Sequence, residues 1–436
     1  MSWSHPVAKI TDDERRQRLA RLQAALEDKA LDGCLLGSTE SLRYFTGLDW
    51  HPSERLLGAL VTPKGVRYIA PGFEKSRVES LPRLPGEIVI WQEDEATAAL
   101  IASLLPANAR LALDDALPLF IYHQLAGAFG ADRLVDGGRL IRDLRLRKSQ
   151  TEIALIKYAM GLTLEVHRRA HSFIKPGVRS SEVVRHIDEQ HRALGAEGGS
   201  SFCIVSFGLA TSLPHGADGD QIYAPGDVVL VDTGCRLDGY HSDLTRTYVL
   251  EEPTTEFAAA WAIEREAQHA VFEAARLGAS CGSLDDAARR VLAEHGLGPD
   301  YALPGLPHRA GHGLGMEIHE EPYIVRGNAT RLESGMCFSN EPMIVFPGRF
   351  GIRLEDHIHM TETGAEWFTK PAKGPTDPLR DLLVQSSQDL HIDNCLSVVG
   401  TWDAWRDPRY RNRDSKTQYD EATSSVRRKG DWHGTP

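Results

Sequence analysis

The sequence predicts an α/β domain followed by a larger α+β domain made of two similar halves. Three observations carry this. Short apolar, β-branched runs alternate with helical segments over the first part of the chain. Further on, two long amphipathic helices followed by a carboxylate-bearing hairpin occur twice, which implies pseudo-twofold halves with a site between them. Hydrophobic periodicity then stops near Pro375. We therefore divide the chain at 1–147, 148–375 and 376–436. The repeat lies in the order of elements and not in residue identity.

In order, Thr11 and Glu14 form a capping box ahead of Leu19, Leu22 and Leu26, which predicts a helix over 11–31. Strand-like runs at 33–36, 57–61, 66–70, 88–91, 111–114 and 134–135 interleave with helical segments at 73–80, 96–105 and 118–129. No chemical constellation falls in this part. Its expected roles are dimerisation and a wall for the neighbouring site, with Trp50, His51 and Glu54 as candidates against a plainer reading as loop surface. The charged run 144–150 reads as a solvated boundary, after which a long helix over 151–174 stops at Pro176-Gly177. Helices at 181–194, 255–277 and 283–295 and a strand at 202–207 complete the frame, with Gly278 and Gly296 closing the last two helices. The tail, after a short helical piece at 379–385, is rich in Asp, Arg, Ser, Thr and Trp, so little folded structure is expected there. Its arginine cluster at 406–413 reads as solvated.

The first hairpin is DVVLVDTGCRLDGYHSDLTRTYVL, residues 227–250. Its Asp238-Gly239 turn pairs Leu237 with Tyr240, so Gly234 falls opposite Asp243 and Asp232 opposite Thr245 on one face. Asp232 and Asp243 are then diagonal neighbours roughly 7–8 Å apart. From there both side chains converge on two metal ions about 3.5–4 Å apart, with Gly234 leaving room beside Asp243. Two solvated acids on an exposed hairpin is the plain alternative. The second hairpin, CFSNEPMIVFPGRFGIRLEDHIHM, turns at Pro347-Gly348 and sets Glu341 opposite Glu355. Arg353 shares the Glu355 face, where it orients that carboxylate or makes a simple cross-strand ion pair. Between the hairpins, HRAGHGLGMEIHEEP holds His308, His312 and His319, with Gly311, Gly313 and Gly315 admitting close backbone approach. His215 in LPHG is a fourth histidine; any one of them alone is more often structural. No GxGxxG opens a helix after a strand, and HExxH is absent.

Composition narrows the function class. The chain has 436 residues, 42% of them apolar, and a net charge of −12, an ordinary globular make-up that disfavours nucleic acid or an anionic membrane as partner. No signal-peptide core or apolar run of about 18 residues is present, so no membrane span and a cytoplasmic location are expected. The six cysteines are scattered without a CxxC pair and read as reduced, mostly buried thiols; nothing near Cys203 marks it as a nucleophile.

The motifs VDTG…YHSDLTRT, PHRAGHGLG, EIHEEP, SNEP and IRLED, in that order over 144–371, resemble the series of the creatinase/prolidase family of pita-bread metallopeptidases. The resemblance implies an α/β creatinase-type N-terminal domain and an α+β pita-bread catalytic domain with pseudo-twofold halves. It implies that Asp243 and Glu355 bridge two metal ions, that Asp232 completes one coordination sphere, and that His312 and Glu341 complete the other. Carboxylates with one imidazole suit Mn²⁺, with Co²⁺ or Zn²⁺ able to substitute. Glu341 is then the general base and proton shuttle, with His319 and His215 facing the developing oxyanion and His308 steadying the substrate. Arg353 matches the arginine behind the metal glutamate.

The implied reaction is removal of an N-terminal residue preceding proline, as an Xaa-Pro dipeptidase or aminopeptidase P, by an enzyme that is homodimeric by family habit. A hydrolase of another small amide and a non-catalytic pita-bread binding protein are the alternatives; retention of all five ligand positions argues against the metal-free and inert members. Prolidases often carry Arg after the HE-x-P motif, whereas this chain has Tyr323. Arg326, Arg353 or a protonated His308 remain to meet a substrate carboxylate, so a weaker dipeptide preference than that of a strict prolidase is expected.

Overall fold

The computed structural model describes residues 7–379; the rest of the expected tail, with its arginines, lies outside the described residues. The first part runs α1 (Asp12–Asp28), β1 (Gly33–Leu36), α2 (Glu40–Thr46), β2 (Gly58–Thr62), β3 (Gly65–Pro71), α3 (Lys75–Ser80), β4 (Glu87–Trp91), α4 (Thr97–Ser103), β5 (Leu111–Leu113), α5 (Leu119–Phe129), β6 (Leu134–Asp136) and α6 (Gly138–Arg145). Its six strands form one sheet in the order β4-β3-β2-β1-β5-β6. Leu35, Leu60, Ile69, Leu111 and Ile121 are buried in its core, as expected of strands covered by helices.

The predicted elements here are found, with differences at their ends. Thr11 accepts from the Glu14 N–H, and α1 stops at Asp28 because Ala30 turns left-handed at φ 50°. The short helices α2 and α6 were not anticipated. The charged run after α6 is not a solvated boundary: Arg145 and Lys148 are buried, and they meet Glu320 at 2.7 and 2.5 Å. Two buried cations next to one buried carboxylate satisfy a need that single charges cannot meet alone.

The second part runs α7 (Gln150–Phe173), α8 (Ser180–Ala193), β7 (Ser200–Phe207), β8 (Val229–Leu237), β9 (Tyr240–His241), β10 (Leu244–Tyr248), α9 (Thr255–Ala274) and α10 (Cys281–Glu294). It continues with β11 (Gly311–Gly313), β12 (Glu320–Ile324), β13 (Cys337–Asn340), β14 (Met343–Phe346), β15 (Phe350–Arg353), β16 (Asp356–Met360) and β17 (Ala365–Trp367). Ser149 caps α7 in a full capping box with Glu152. One half is the sheet β10-β8-β7 with α7 and α8; the other is β12-β11-β13-β16-β17 with α9 and α10. Val166, Ile187, Val205, Val229 and Val231 close the core of the first half. An isolated β-bridge between Thr245 and Glu355 is one of the links between the halves.

Past Pro375 the chain remains attached. Val249 N–H donates to the Pro375 carbonyl at 2.9 Å, and the buried Arg246 Nε donates to Pro378 O at 3.0 Å. Cys34, Cys235, Cys281 and Cys337 are buried free thiols, and burial pushes the half-buried Cys203 thiol up to about 12, which rules out an activated nucleophile. Among the described residues no helix is long and apolar enough to cross a membrane.

Candidate metal centre

Both hairpins keep their predicted registers, and in both the acid that faces the site lies at an interruption of the ladder. Leu237 pairs with Tyr240 and Arg236 with His241; pairing resumes at Thr233 with Leu244 and Asp232 with Thr245. Asp243 falls in the gap. A Cβ on Gly234 would stand 1.9 Å from the Ser242 carbonyl, so the glycine admits that backbone crossing instead of opening space beside Asp243. In the second hairpin Met343 pairs with Arg353 and Phe346 with Phe350, whereas Asn340 pairs with Asp356 and Cys337 with His359. Glu341 and Glu355 keep the same count and occupy the gap between these ladders.

A gap in a ladder leaves backbone groups that need partners, and the long helix of each half supplies them. From α7, the Thr163 hydroxyl meets Ser242 Oγ at 2.7 Å, Ser242 Oγ accepts from Cys235 N–H at 2.9 Å, and His167 Nε2 donates to Leu244 O at 3.0 Å. From α9, Gln268 Nε2 donates to Leu354 O at 2.9 Å, and the Gln268 backbone carbonyl accepts from Asn340 Nδ2 at 2.7 Å. His312 arrives on β11, which squeezes between β12 and β13. There Gly311 and Gly313 are obligatory, since added Cβ atoms would meet Ser339 O at 2.1 Å and Glu321 O at 2.3 Å.

These elements bring Asp243, His312, Glu341 and Glu355 together. His312 Nε2 lies 3.1 Å from Glu341 Oε1, 3.7 Å from Asp243 Oδ2 and 3.9 Å from Glu355 Oε1. Ligand atoms of Asp243, His312 and His319, of Asp243, Glu355 and His357, and of His312, Glu341 and Glu355 form three groups within 4.8 Å. Asp232 stands at the edge of this cluster. Its Oδ2 takes the Arg353 guanidinium, whose Nε also donates to Thr245 Oγ1 at 3.1 Å. Arg353 therefore secures the aspartate of the opposite hairpin rather than the neighbouring Glu355, whose Oε2 accepts from Thr245 Oγ1 at 2.7 Å. Neither simple option for Arg353, orienting Glu355 or pairing within its own hairpin, describes it.

The donor set fits a hard divalent cation. His312 Nδ1 donates to the Gly313 carbonyl at 3.0 Å, so Nε2 presents a lone pair to carboxylate oxygens. Acceptors facing acceptors require a proton or a cation between them. Asp232 Oδ1, Asp243 Oδ1 and Glu355 Oε1 are buried without a hydrogen-bond partner, a costly state for ionised carboxylates. Accordingly burial, with Glu355, Asp232 and Glu341 close by, pushes the Asp243 carboxyl well above its usual range, and burial with Glu341 and Asp232 does the same to Glu355. Burial also raises Asp232, against the pull of Arg353. Glu341 goes the other way: burial works to raise it, but a proton shared with His312 when no cation is present, with His308 and Arg353 close by, outweighs this and holds it low.

The other expected residues surround this cluster. The His319 ring stands 4.2 Å from that of His312 at 83°. Burial, with His312, Arg309 and His215 near, holds its pKa down to about 4, which makes it a neutral imidazole. His308 donates from Nδ1 to Arg309 O at 2.7 Å, leaving Nε2 buried and unpartnered on the Glu341 side. Burial lowers its pKa, so it is not the protonated cation considered for a substrate carboxylate. His215 is exposed on the loop after β7. A cavity of about 360 Å³ opens beside His319 and Tyr323, walled on the far side by Ser41, Asp114 and Arg142 of the first part. Trp50 and His51 line a second cavity instead, together with Arg236 and Glu317, while Glu54 stays at the surface on Arg55.

Two residues escaped the sequence reading. His357 is fully buried with both ring nitrogens unpartnered, and it groups with Asp243 and Glu355; period-2 spacing from Glu355 was signal enough to find it. Arg309, next to His308, stacks on Tyr323 with its Cζ 4.3 Å from the ring centre. Its role was masked by the histidines on either side of it.

Comparison with known proteins agrees with this geometry. The model of metallopeptidase family M24 matches residues 154–362, and that of the creatinase/prolidase N-terminal domain matches residues 18–147. The chain is 36% identical over 359 residues to the probable dipeptidase PepE of Mycobacterium bovis, covering 80% of this chain and 92% of that one. Among solved structures, dipeptidase PepE from Mycobacterium ulcerans superposes with a TM-score of 0.78 at 34% identity, covering 83% of this chain and 97% of that one. The Xaa-Pro dipeptidase from Bacillus anthracis does so with a TM-score of 0.73 at 30% identity, over 82% and 98% of the two chains.

Proposed function

The chain belongs to metallopeptidase family M24, and from that membership we propose that it is an Xaa-Pro dipeptidase using two divalent ions, Mn²⁺ first among them. The observation that carries the reading is the facing of one imidazole lone pair and several orphaned carboxylate oxygens across a single buried gap. Asp232, Asp243, His312, Glu341 and Glu355 would hold the ions, and His357, grouped with Asp243 and Glu355, would orient those two carboxylates. Bound there, the ions would acidify a water and polarise the scissile carbonyl. The same reading keeps the division of the chain between residues 147 and 148.

The chain's own residues supply the remaining steps. Glu341 keeps Oε1 on Ser339 Oγ, 3.1 Å away, which leaves Oε2 to accept a proton and hand it to the departing proline nitrogen. That nitrogen is an imide in the substrate, so only a group that delivers a proton to it can complete the cleavage. His319, neutral, donates a hydrogen bond towards the carbonyl oxygen as it gains charge, with His215 closing over it. The unpartnered Nε2 of His308 steadies the substrate. The first part of the chain walls the cavity next to Tyr323 and so limits the length of peptide that enters.

The deciding experiment is hydrolysis of Ala-Pro, Ala-Pro-Ala and Ala-Ala by metal-loaded protein. Cleavage of the first, with Ala-Ala at least tenfold slower, is the expected result. Equal rates on Ala-Pro and Ala-Ala would make it a general dipeptidase, and failure on all three would turn attention to other small amides.

A further inference from the structure

A dipeptide enters the site with a free carboxylate one residue beyond the scissile bond, and a buried anion needs a cation. Of the arginines that the sequence offered for this, none is available. Arg326 is spent on Asp286 at 3.1 Å and on Asp300, and Arg353 lies buried on Asp232. The cations that line the cavity beside Tyr323 are spent as well: Arg142 pairs with Asp115 and, at 3.2 Å, with Glu321, and Arg145 pairs with Glu320 at 2.7 Å.

Arg309 is the exception. Among the described residues no carboxylate pairs with it, and its guanidinium stacks on Tyr323 at 4.3 Å. Stacking occupies the face of a guanidinium and leaves its in-plane N–H fork free for a bidentate acceptor. The position is fixed from both sides. Tyr323 lines the cavity with His319 and is itself held through its carbonyl by Asn328 Nδ2 at 2.6 Å. The Arg309 carbonyl is held by His308 Nδ1 at 2.7 Å, and the charge of Arg309 reaches His319. One extended residue spans roughly 3.3–3.6 Å, so the carboxylate lies about that far beyond a carbonyl held at His319, the residue that feels the charge of Arg309.

We propose that Arg309, braced by Tyr323, is the specificity-determining residue that takes the substrate's terminal carboxylate, and that it sets a preference for free dipeptides over amidated or longer peptides. This rests on the peptidase reading above. It also reverses the consequence drawn from Tyr323: the tyrosine in the position where prolidases often carry Arg does not weaken the clamp but holds a different arginine in place. Of the acids of the cavity, Glu317, Glu320, Glu321 and Asp115 already carry ion pairs, and Asp114 accepts from Thr39 Oγ1 at 2.5 Å.

The test compares Ala-Pro with Ala-Pro amide, and inhibition by free proline with that by prolinamide, using Mn²⁺-loaded wild type, Arg309→Met and Arg309→Lys. In Arg309→Met the ratio of kcat/KM for Ala-Pro over the amide falls at least tenfold, almost wholly through KM, and free proline loses inhibition by a similar factor. Arg309→Lys, which keeps the charge but not the flat fork, lies between. An unchanged ratio within twofold in folded Arg309→Met, or equal losses on both substrates, overturns the proposal. Should Arg309→Met not fold, Arg309→Lys decides: a ratio reduced threefold or more supports the clamp, and an unchanged one overturns it. A wild type that cleaves neither substrate overturns the peptidase reading itself, and the clamp with it.

Discussion

Arg246 and Asp356 form an ion pair, Nη2 to Oδ1 at 2.7 Å, in which both side chains are 0% exposed. The pair ties β10 of one half to β16 of the other, and Arg246 Nη1 reinforces it on the Thr245 and Glu355 carbonyls at 3.0 and 2.8 Å. It therefore holds together the two strands that deliver the acids. Removing one partner strands a buried charge, which typically costs about 3–5 kcal/mol. Asp356→Asn is expected to lower unfolding free energy by that order in metal-free protein, measured by denaturant titration; a loss below about 1 kcal/mol would mean that Arg246 is satisfied by carbonyls alone.

Glu341→Gln removes the proton acceptor at nearly constant volume and leaves Ser339 Oγ a partner at position 341. Turnover of Ala-Pro should fall by at least about a hundredfold, with the thermal midpoint of the metal-free protein within a few degrees of wild type. Near-normal turnover in metal-loaded variant would remove Glu341 from the proton path.

Metal binding should register as stability even without substrate. Asp232, Asp243 and Glu355 are crowded and buried with orphaned oxygens, so the filled centre relieves a strain that the unfolded chain does not share. Free Mn²⁺ at a hundred times its dissociation constant should add about 2.7 kcal/mol, read by calorimetry as a higher midpoint that chelation reverses. A midpoint indifferent to both chelator and Mn²⁺ would count against the centre.

Much of this was legible in the sequence because hairpin register depends on local signals. Asp238-Gly239 and Pro347-Gly348 fix the pairing, and period 2 then assigns faces. The gaps at Asp243 and Glu341 were not legible. They depend on Thr163, 79 residues from Ser242, and on Gln268, 72 residues from Asn340, and no local pattern announces contacts of that range. The burial of Lys148 was misread for the same reason, its partner Glu320 lying 172 residues on. Arg353 was placed on the right face but not with the right acid, since Asp232 reaches it only when the halves close on each other.

The last prediction concerns Glu264 of α9, a side chain 0% exposed whose two carboxylate oxygens have no hydrogen-bond partner. Burial pushes its carboxyl well above the usual range, against smaller opposite pulls from the Leu354 backbone and Arg353. It is therefore protonated in the folded protein when the unfolded chain has already lost the proton. The sign follows. Below the unfolded value near 4.5 both states hold the proton and Glu264 makes no pH-dependent difference. Above it the unfolded state binds fewer protons, so stability falls with rising pH, by at most about 1.4 kcal/mol per pH unit for one proton, until the folded carboxyl ionises too. Replacing Glu264 with Met, unbranched and apolar, removes this loss. Glu264→Met should thus be more stable than wild type at pH 8, and the gap should narrow steadily towards pH 4.5. Denaturant titrations of both proteins at pH 4.5, 6 and 8, in chelator so that the metal centre contributes equally, decide it: a gap that is constant or widens as the pH falls would show that Glu264 is ionised in the fold.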